Sequence, residues 1–143
     1  SLESRVKTSG MTGLHVLVPV VRTLRYDAAR ALAEAIARHM VAGHPQDITI
    51  EWDTRRRTGK VFFDYTMNAR VKTLSVPYSA RAAPGAPVSM PLTWKALKKA
   101  GPLDFRMDNV ADVLAKHGDL WSDMEDAKQN LESVLATSGG NPR

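Results

Sequence analysis

The first apolar block of the chain, HVLVPV at residues 15–20, is β-branched and short, which predicts a buried strand with Pro19 near its end. The period then changes. In DAARALAEAIARHMVAG (27–43), Ala28, Ala31, Leu32, Ala35, Ile36 and Met40 recur at three- and four-residue spacing, one stripe of a helix that Asp27 is placed to cap and Gly43 to end. Residues 48–52 alternate apolar and polar like a half-buried strand. A basic turn, TRRRTGK, leads into a second apolar strand, VFFDY. Residues 74–78 read as extended, and Pro84-Gly85 marks a turn in the loop that follows. Thr93 is expected to cap a short helix, TWKALKKA, stopped by Gly101-Pro102. Helices over 110–117 and roughly 122–135 complete the pattern, with Ser122 and Glu125 at capping-box spacing. The expected fold is α+β: a small mixed or antiparallel sheet with a packed long helix, followed by C-terminal helices. It reads as one domain over 1–143, sheet-rich at 7–92, helical at 93–136, with a frayed tail at 137–143.

Length and composition narrow the classes. A chain of 143 residues can bury a core, and with no cysteine it has no disulfide framework and no thiolate metal site. Its apolar runs fall far short of the ~20 residues of a membrane span. Residues 1–10 are polar with no apolar signal core, so a cytoplasmic protein is expected. Charge is unevenly spread: residues 1–103 carry 16 Lys and Arg against 7 Asp and Glu, and residues 104–143 carry 4 against 8. A basic majority joined to an acidic end suits a polyanion-binding face, or simply a solvated surface.

Asp64, inside KVFFDY, stands among strand-forming apolar residues, where an ionised carboxylate is costly unless paired or bound to a metal. It is read either as a metal ligand or as a strand-end acid facing solvent or paired with Arg70. One carboxylate is too few for a two-metal site, and no D-x-D occurs in the sequence. In SGMTGLH, Ser9, the N–H groups around Gly10 and Gly13, and His15 are candidate donors to an anion; a plain tight turn is the other reading. The loop is not a P-loop, since the closing GK[ST] is absent. Arg55, Arg56 and Arg57 at a hairpin tip would make a phosphate clamp or a solubilising turn, with Arg70 and Arg81 in extended segments nearby. His39 and His44 read as structural. Trp52, Trp94 and Trp121 read as core anchors.

Three segments in order, KTSGMTGLHVLVPV, RRRTGKVFFDYTMNAR and VPYSARAAPGAPVSMPLTW, closely resemble the polymerase (primase-polymerase) domain of bacterial DNA ligase D, a member of the archaeo-eukaryotic primase superfamily. The resemblance runs from about Lys7 to Trp94, with a looser echo to Trp121. It implies that Ser9 and His15 belong to a nucleotide-phosphate motif, that Arg81 contacts the incoming triphosphate, and that Asp64 is the third metal-binding carboxylate and so the catalytic one. Arg57, with Arg56 beside it, falls in a segment that approaches DNA. It further implies nucleotidyl transfer onto DNA ends with a divalent metal, manganese rather than magnesium. Nucleoside triphosphate, DNA ends and the end-binding protein Ku are the implied partners, and the nucleoid the implied place.

Two departures qualify what the resemblance implies. Thr12 stands where the family usually has lysine. The D-x-D motif that the family carries upstream of the glycine loop is missing, so this chain is expected to be the C-terminal half of a catalytic core. It is expected to be inactive alone, and prone to self-association or to pairing with the missing half. The alternative function is a non-catalytic module that binds nucleotide or DNA phosphates, or a remnant of a split protein.

Overall fold

The strand at the centre of the main sheet lies upstream of the first apolar block. β1, Arg5–Thr8, pairs antiparallel with β2, Leu14–Leu17, in a register that sets Arg5 opposite Leu17 and Lys7 opposite His15. On its other side β1 pairs antiparallel with a two-residue strand near Pro91–Leu92, with Val6 opposite Leu92. This computed structural model describes residues 2–131. Its residues group into two compact units, one of which contains this sheet and is built from residues 2–22 and 75–131; the other is built from residues 23–74.

In the first unit Val6, Met90 and Leu92 are buried together, and Tyr78, Leu97, Phe105, Val110 and Val113 pack against them. Burial of such side chains stabilises by roughly 1.5–3 kcal/mol each. Thr8 ties the sheet to the 88–90 segment, because its hydroxyl donates to the Val88 carbonyl and accepts from the Met90 N–H, both at 2.9 Å. The turn at Pro84-Gly85 is present, closed by the Ala86 N–H on the Ala83 carbonyl at 2.8 Å. Residues 78–81 and 87–89 run alongside each other through bonds such as Arg81 N–H to the Pro87 carbonyl. Thr93 caps the short helix Trp94–Leu97 through its hydroxyl, which accepts from the Ala96 N–H. A longer helix follows at Val110–His117.

Three expectations change in this unit. The 15–20 strand is an edge strand over Leu14–Leu17, and it leaves Leu14 48% and Val16 57% exposed. The expected helix over 122–135 is a set of turns through residue 127. The Gln129 backbone instead bonds to the Pro19 carbonyl and the Val21 N–H, a pairing that a helix there would forbid. Ser122 is no cap; its N–H donates to the Asp119 carbonyl. Residues 132–135 of that helix, and the tail at 137–143, lie outside the described residues.

The second unit opens with α1, Tyr26–Gly43, the helix that the apolar period predicts, but its buried residue is Ala37, outside the expected stripe, of which Ala28, Ala31 and Ala35 are exposed. Arg25 rather than Asp27 is the N-cap residue, and no side chain caps it; Asp27 sits in the first turn, where its charge suits the helix dipole. α1 packs on β3, Ile48–Thr49. β3 pairs with β4, Val61–Phe62, and the pairing is parallel, so the basic segment between them is a crossover and not a hairpin tip. The cause is local: Asp53 Oδ1 accepts from the Arg55 N–H and starts a 3₁₀ turn at Thr54–Arg56, which carries the chain round before it re-enters. Of the tryptophans, Trp121 is buried as expected. Trp52 and Trp94 are about half exposed, Trp52 meeting Phe62 edge-on at 5.1 Å and Trp94 donating to the Ser4 carbonyl.

Candidate anion site and the basic crossover

The glycine loop, residues 9–13, joins β1 to β2, so the strand pairing fixes what stands at its mouth. Ser9 N–H donates to the Gly13 carbonyl at 2.9 Å, and Ser9 Oγ accepts from the Met11 and Gly13 N–H groups, each at 3.1 Å. Two of the N–H groups expected to cradle an anion are therefore spent inside the loop. The Ser9 hydroxyl keeps its own proton to donate. Gly10 is required twice over. Its φ is +71°, and a Cβ there would stand 2.6 Å from Arg81 Cγ and 3.1 Å from the Ser89 nitrogen.

Arg81 lies across this loop, with Nη1 donating to the Ser9 carbonyl at 3.3 Å and to Ser75 Oγ. His15, half-buried on β2, places Nδ1 2.9 Å from Lys7 Nζ. Lys7 is fully buried and also bonds Ser89 Oγ. Burial first, then the charge of Arg81, brings the Lys7 ammonium down to about 8. Burial, then Lys7, then Arg81, hold the imidazole of His15 below its usual range, which makes it neutral at pH 7. Ser9, His15 and Arg81 thus converge in the first unit, with two cations that have no carboxylate partner among the described residues. Such a site suits an anion.

Lys7 and Ser89 were not anticipated from the sequence. The signal was available in the spacing, since a five-residue loop between strands sets Lys7 opposite His15, but KTS reads as polar loop when β1 goes unseen.

The other candidates lie in the second unit. Asp64 is exposed, just past the end of β4, and its Oδ1 accepts from the N–H and the hydroxyl of Thr66 at 2.9 and 2.6 Å. Its position is that expected of a strand-end acid facing solvent, and no ion pair joins it to Arg70 among the described residues. Arg57 is built into the fold. Its Nε and Nη2 donate to the Glu51 and Trp52 carbonyls, each at 2.6 Å, and its guanidinium lies 3.6 Å from the Phe62 ring centroid. Arg56 is exposed, with a loose 3.6 Å pair to Glu51, and Arg55 pairs with Asp53 at 2.8 Å. Among the described residues no three of His, Asp and Glu group as a metal site would need. No described helix is long and apolar enough to cross a membrane.

Residues 1–121 match the family model of the LigD primase-polymerase domain. The chain is 33% identical over 136 residues to the multifunctional non-homologous end joining protein LigD of Mycolicibacterium smegmatis, covering 95% of this chain and 18% of that protein. It is 33% identical over 138 residues to the Pseudomonas aeruginosa protein of the same name, covering 94% and 16%. In structure it is similar to the polymerase domain of Mycobacterium tuberculosis ligase D in complex with DNA, with a TM-score of 0.80 and 30% identity over 90% of this chain and 45% of that one. The chain therefore spans under a fifth of these two curated relatives.

Proposed function

Because the chain belongs to the LigD primase-polymerase domain family, we propose that it is the nucleotide-holding part of a polymerase domain that acts at DNA ends. The observation that carries this reading is the approach of Lys7 to the neutral His15 and of Arg81 to the Ser9 carbonyl, with neither cation paired by any described carboxylate. A triphosphate would take charge-assisted bonds from Arg81 and uncharged donors from Ser9 and His15. DNA phosphates would meet Arg56, whose pair to Glu51 is loose and exposed, while Arg57 holds the crossover in shape. Similarity to a polymerase domain solved with DNA supports DNA ends as the second substrate.

Nucleotidyl transfer would join the α-phosphorus to a DNA 3′-hydroxyl and release pyrophosphate, and a pair of divalent ions, manganese by resemblance, supplies the charge neutralisation for it. The described residues do not by themselves fit such a pair: Asp64 offers one carboxylate, with one oxygen already bonded to Thr66. In this reading Asp64 is one ligand of a set completed by a D-x-D-bearing segment, and the chain alone does not extend DNA. That segment, Ku and a second copy of the chain are the proposed partners.

A second reading has one observation of its own: the anion site lies wholly within the first unit, whereas Asp64 lies in the second. Phosphate binding would then need no metal, and the chain would be a binding module or a remnant of a split protein. Calorimetric titration with ATP, with and without manganese, decides between them using His15→Ala, Arg81→Ala and Asp64→Asn. Binding that His15→Ala and Arg81→Ala abolish, and that metal removal or Asp64→Asn weakens, supports the polymerase reading. Binding indifferent to manganese and to Asp64→Asn, and falling steeply with salt, supports the module. Primer extension by the chain alone would overturn its proposed dependence on another segment.

A further inference from the structure

We propose that Lys7 is a positioning residue that fixes His15 as its neutral Nε2–H tautomer, so that the imidazole presents a single oriented donor to an anion. For the identity of that anion the inference rests on the nucleotide reading above; for the tautomer it does not.

The hydrogen-bond directions can be assigned by elimination. Ser89 has one hydroxyl proton, and it goes to the Thr8 carbonyl at 2.9 Å. Its oxygen must therefore accept from Lys7 Nζ, so Lys7 is a donor on that side. An ammonium has no lone pair, so at His15 Nδ1, 2.9 Å away, Lys7 donates again and Nδ1 accepts. A neutral ring that accepts at Nδ1 carries its proton on Nε2. No described residue bonds Nε2, which leaves that N–H free for a ligand. A second ring proton would set Nδ1–H against the ammonium.

The strand register makes this arrangement rigid. Lys7 on β1 and His15 on β2 are direct cross-strand partners, and Pro91 stands on the other side of Lys7. The charged groups facing His15 are Lys7 and Arg81, both positive, so the surroundings oppose the imidazolium from both sides. The Lys7 stem is fully buried, and its ammonium, brought down to about 8, remains the donor at pH 7. A histidine held this way gives the same donor across the neutral range instead of switching near its ordinary value.

The experiment is nitrogen-15 NMR of the histidine ring in the full chain, with Lys7→Met and Lys7→Arg beside the wild type. In the wild type the expected spectrum has His15 Nδ1 as a pyridine-type nitrogen and Nε2 as a pyrrole-type one. In Lys7→Met the Nδ1 signal should shift and the His15 titration midpoint should rise, whereas Lys7→Arg should restore the wild-type pattern. An Nδ1–H tautomer in the wild type, or a Lys7→Met variant with unchanged shift and midpoint, overturns the proposal. If Lys7→Met fails to fold, the wild type alone decides. Between about pH 6 and about pH 10 the Nδ1 shift should follow the Lys7 Cε signal with a shared midpoint near 8, and independent midpoints overturn the proposal. ATP titration of the same samples keeps the two readings apart: the expected tautomer with no ATP binding supports the positioning role and removes the nucleotide.

Discussion

The basic crossover of the 23–74 unit and the anion site of the sheet unit treat their cations in opposite ways. In the 23–74 unit Arg55 pairs with Asp53, Arg56 with Glu51, and Arg57 lies on Phe62 with its protons on two carbonyls. In the sheet unit Lys7 is buried against a histidine and a serine, and Arg81 bonds a carbonyl and a hydroxyl. The first arrangement gives each arginine a partner within the segment, and its carboxylates Glu51 and Asp53 are held below their usual range by local hydrogen bonds and by the arginines. The second leaves positive charge uncompensated, which adds to burial, the larger cause, in lowering Lys7 and His15. Charge totals do not separate these cases. A basic patch is a candidate site where its cations lack acids, and a structural element where they have them.

The sharpest test of that difference is Gly10→Ala. The left-handed φ and the 2.6 Å approach of Arg81 Cγ act together, so the substitution should cost about 2–4 kcal/mol and move Arg81 off the loop. Urea unfolding followed by sheet-unit signals checks the first, and loss of ATP binding checks the second. A variant as stable as the wild type would mean that Arg81 does not lie across the loop.

The next effect is a pH dependence. Folded, Lys7 releases its proton near 8; unfolded, it holds it to about 10.5. The unfolded state therefore binds more protons in that window, and stability should rise with pH through it, by roughly 2–3 kcal/mol in all. Tyr78, pushed up to about 12 by burial and by its bond to Asp119, works the other way once pH passes about 10. The rise is best read between about 8 and about 10. His15 adds a second, separate loss as pH falls below about 6.5, because the unfolded ring takes a proton that the folded one refuses. Urea midpoints against pH in the wild type and in Lys7→Met measure both, and the alkaline rise should vanish in the variant. In the other unit the sign at acid pH is the same but the groups differ: Glu51 and Asp53 contribute above their ordinary carboxylate values and lose that contribution as pH falls through their lowered ones.

These sites differ too in how far the sequence disclosed them. α1 was legible as a helix because a helix states its period locally, but its buried face was not: Ala37 lies outside the stripe, and Ala28, Ala31 and Ala35 within it are exposed. Ser9, His15 and Arg81 came from an ordered set of motifs, and they do meet. β1 was not legible, since Lys7 and Thr8 look like loop residues and are buried only because Ser89, Met90 and His15 supply partners from elsewhere in the chain. The parallel pairing of β3 and β4 was missed for the same reason, as alternation reports a strand and not its direction. Asp64 was read in two ways, and its position is that of the strand-end acid facing solvent: the chain turns at Thr66 and the residue is exposed.

Arg57→Ala asks whether the crossover arginines are structural. It removes two hydrogen bonds to carbonyls and the face contact with Phe62, so a loss of about 1–3 kcal/mol is expected in the 23–74 unit. Arg55→Ala breaks only an exposed pair and should cost ~0–1 kcal/mol. Thermal unfolding followed by Trp52 fluorescence reads both. If the two cost the same, Arg57 is a surface cation like its neighbours and returns as a candidate for contact with DNA.

A second glycine completes the contrast begun at Gly10. Gly59, in the basic crossover, has nearly the same backbone, with φ +73°, but a Cβ there would meet nothing within 4 Å. Gly59→Ala should therefore cost only the left-handed penalty, about 1–2 kcal/mol, and should leave ATP binding unchanged. The two substitutions share that backbone penalty, so their difference isolates the closeness of Arg81 to the glycine loop. Equal losses in urea unfolding would assign the whole cost of Gly10→Ala to backbone strain, and Arg81 would then have to reach the anion site from a different position.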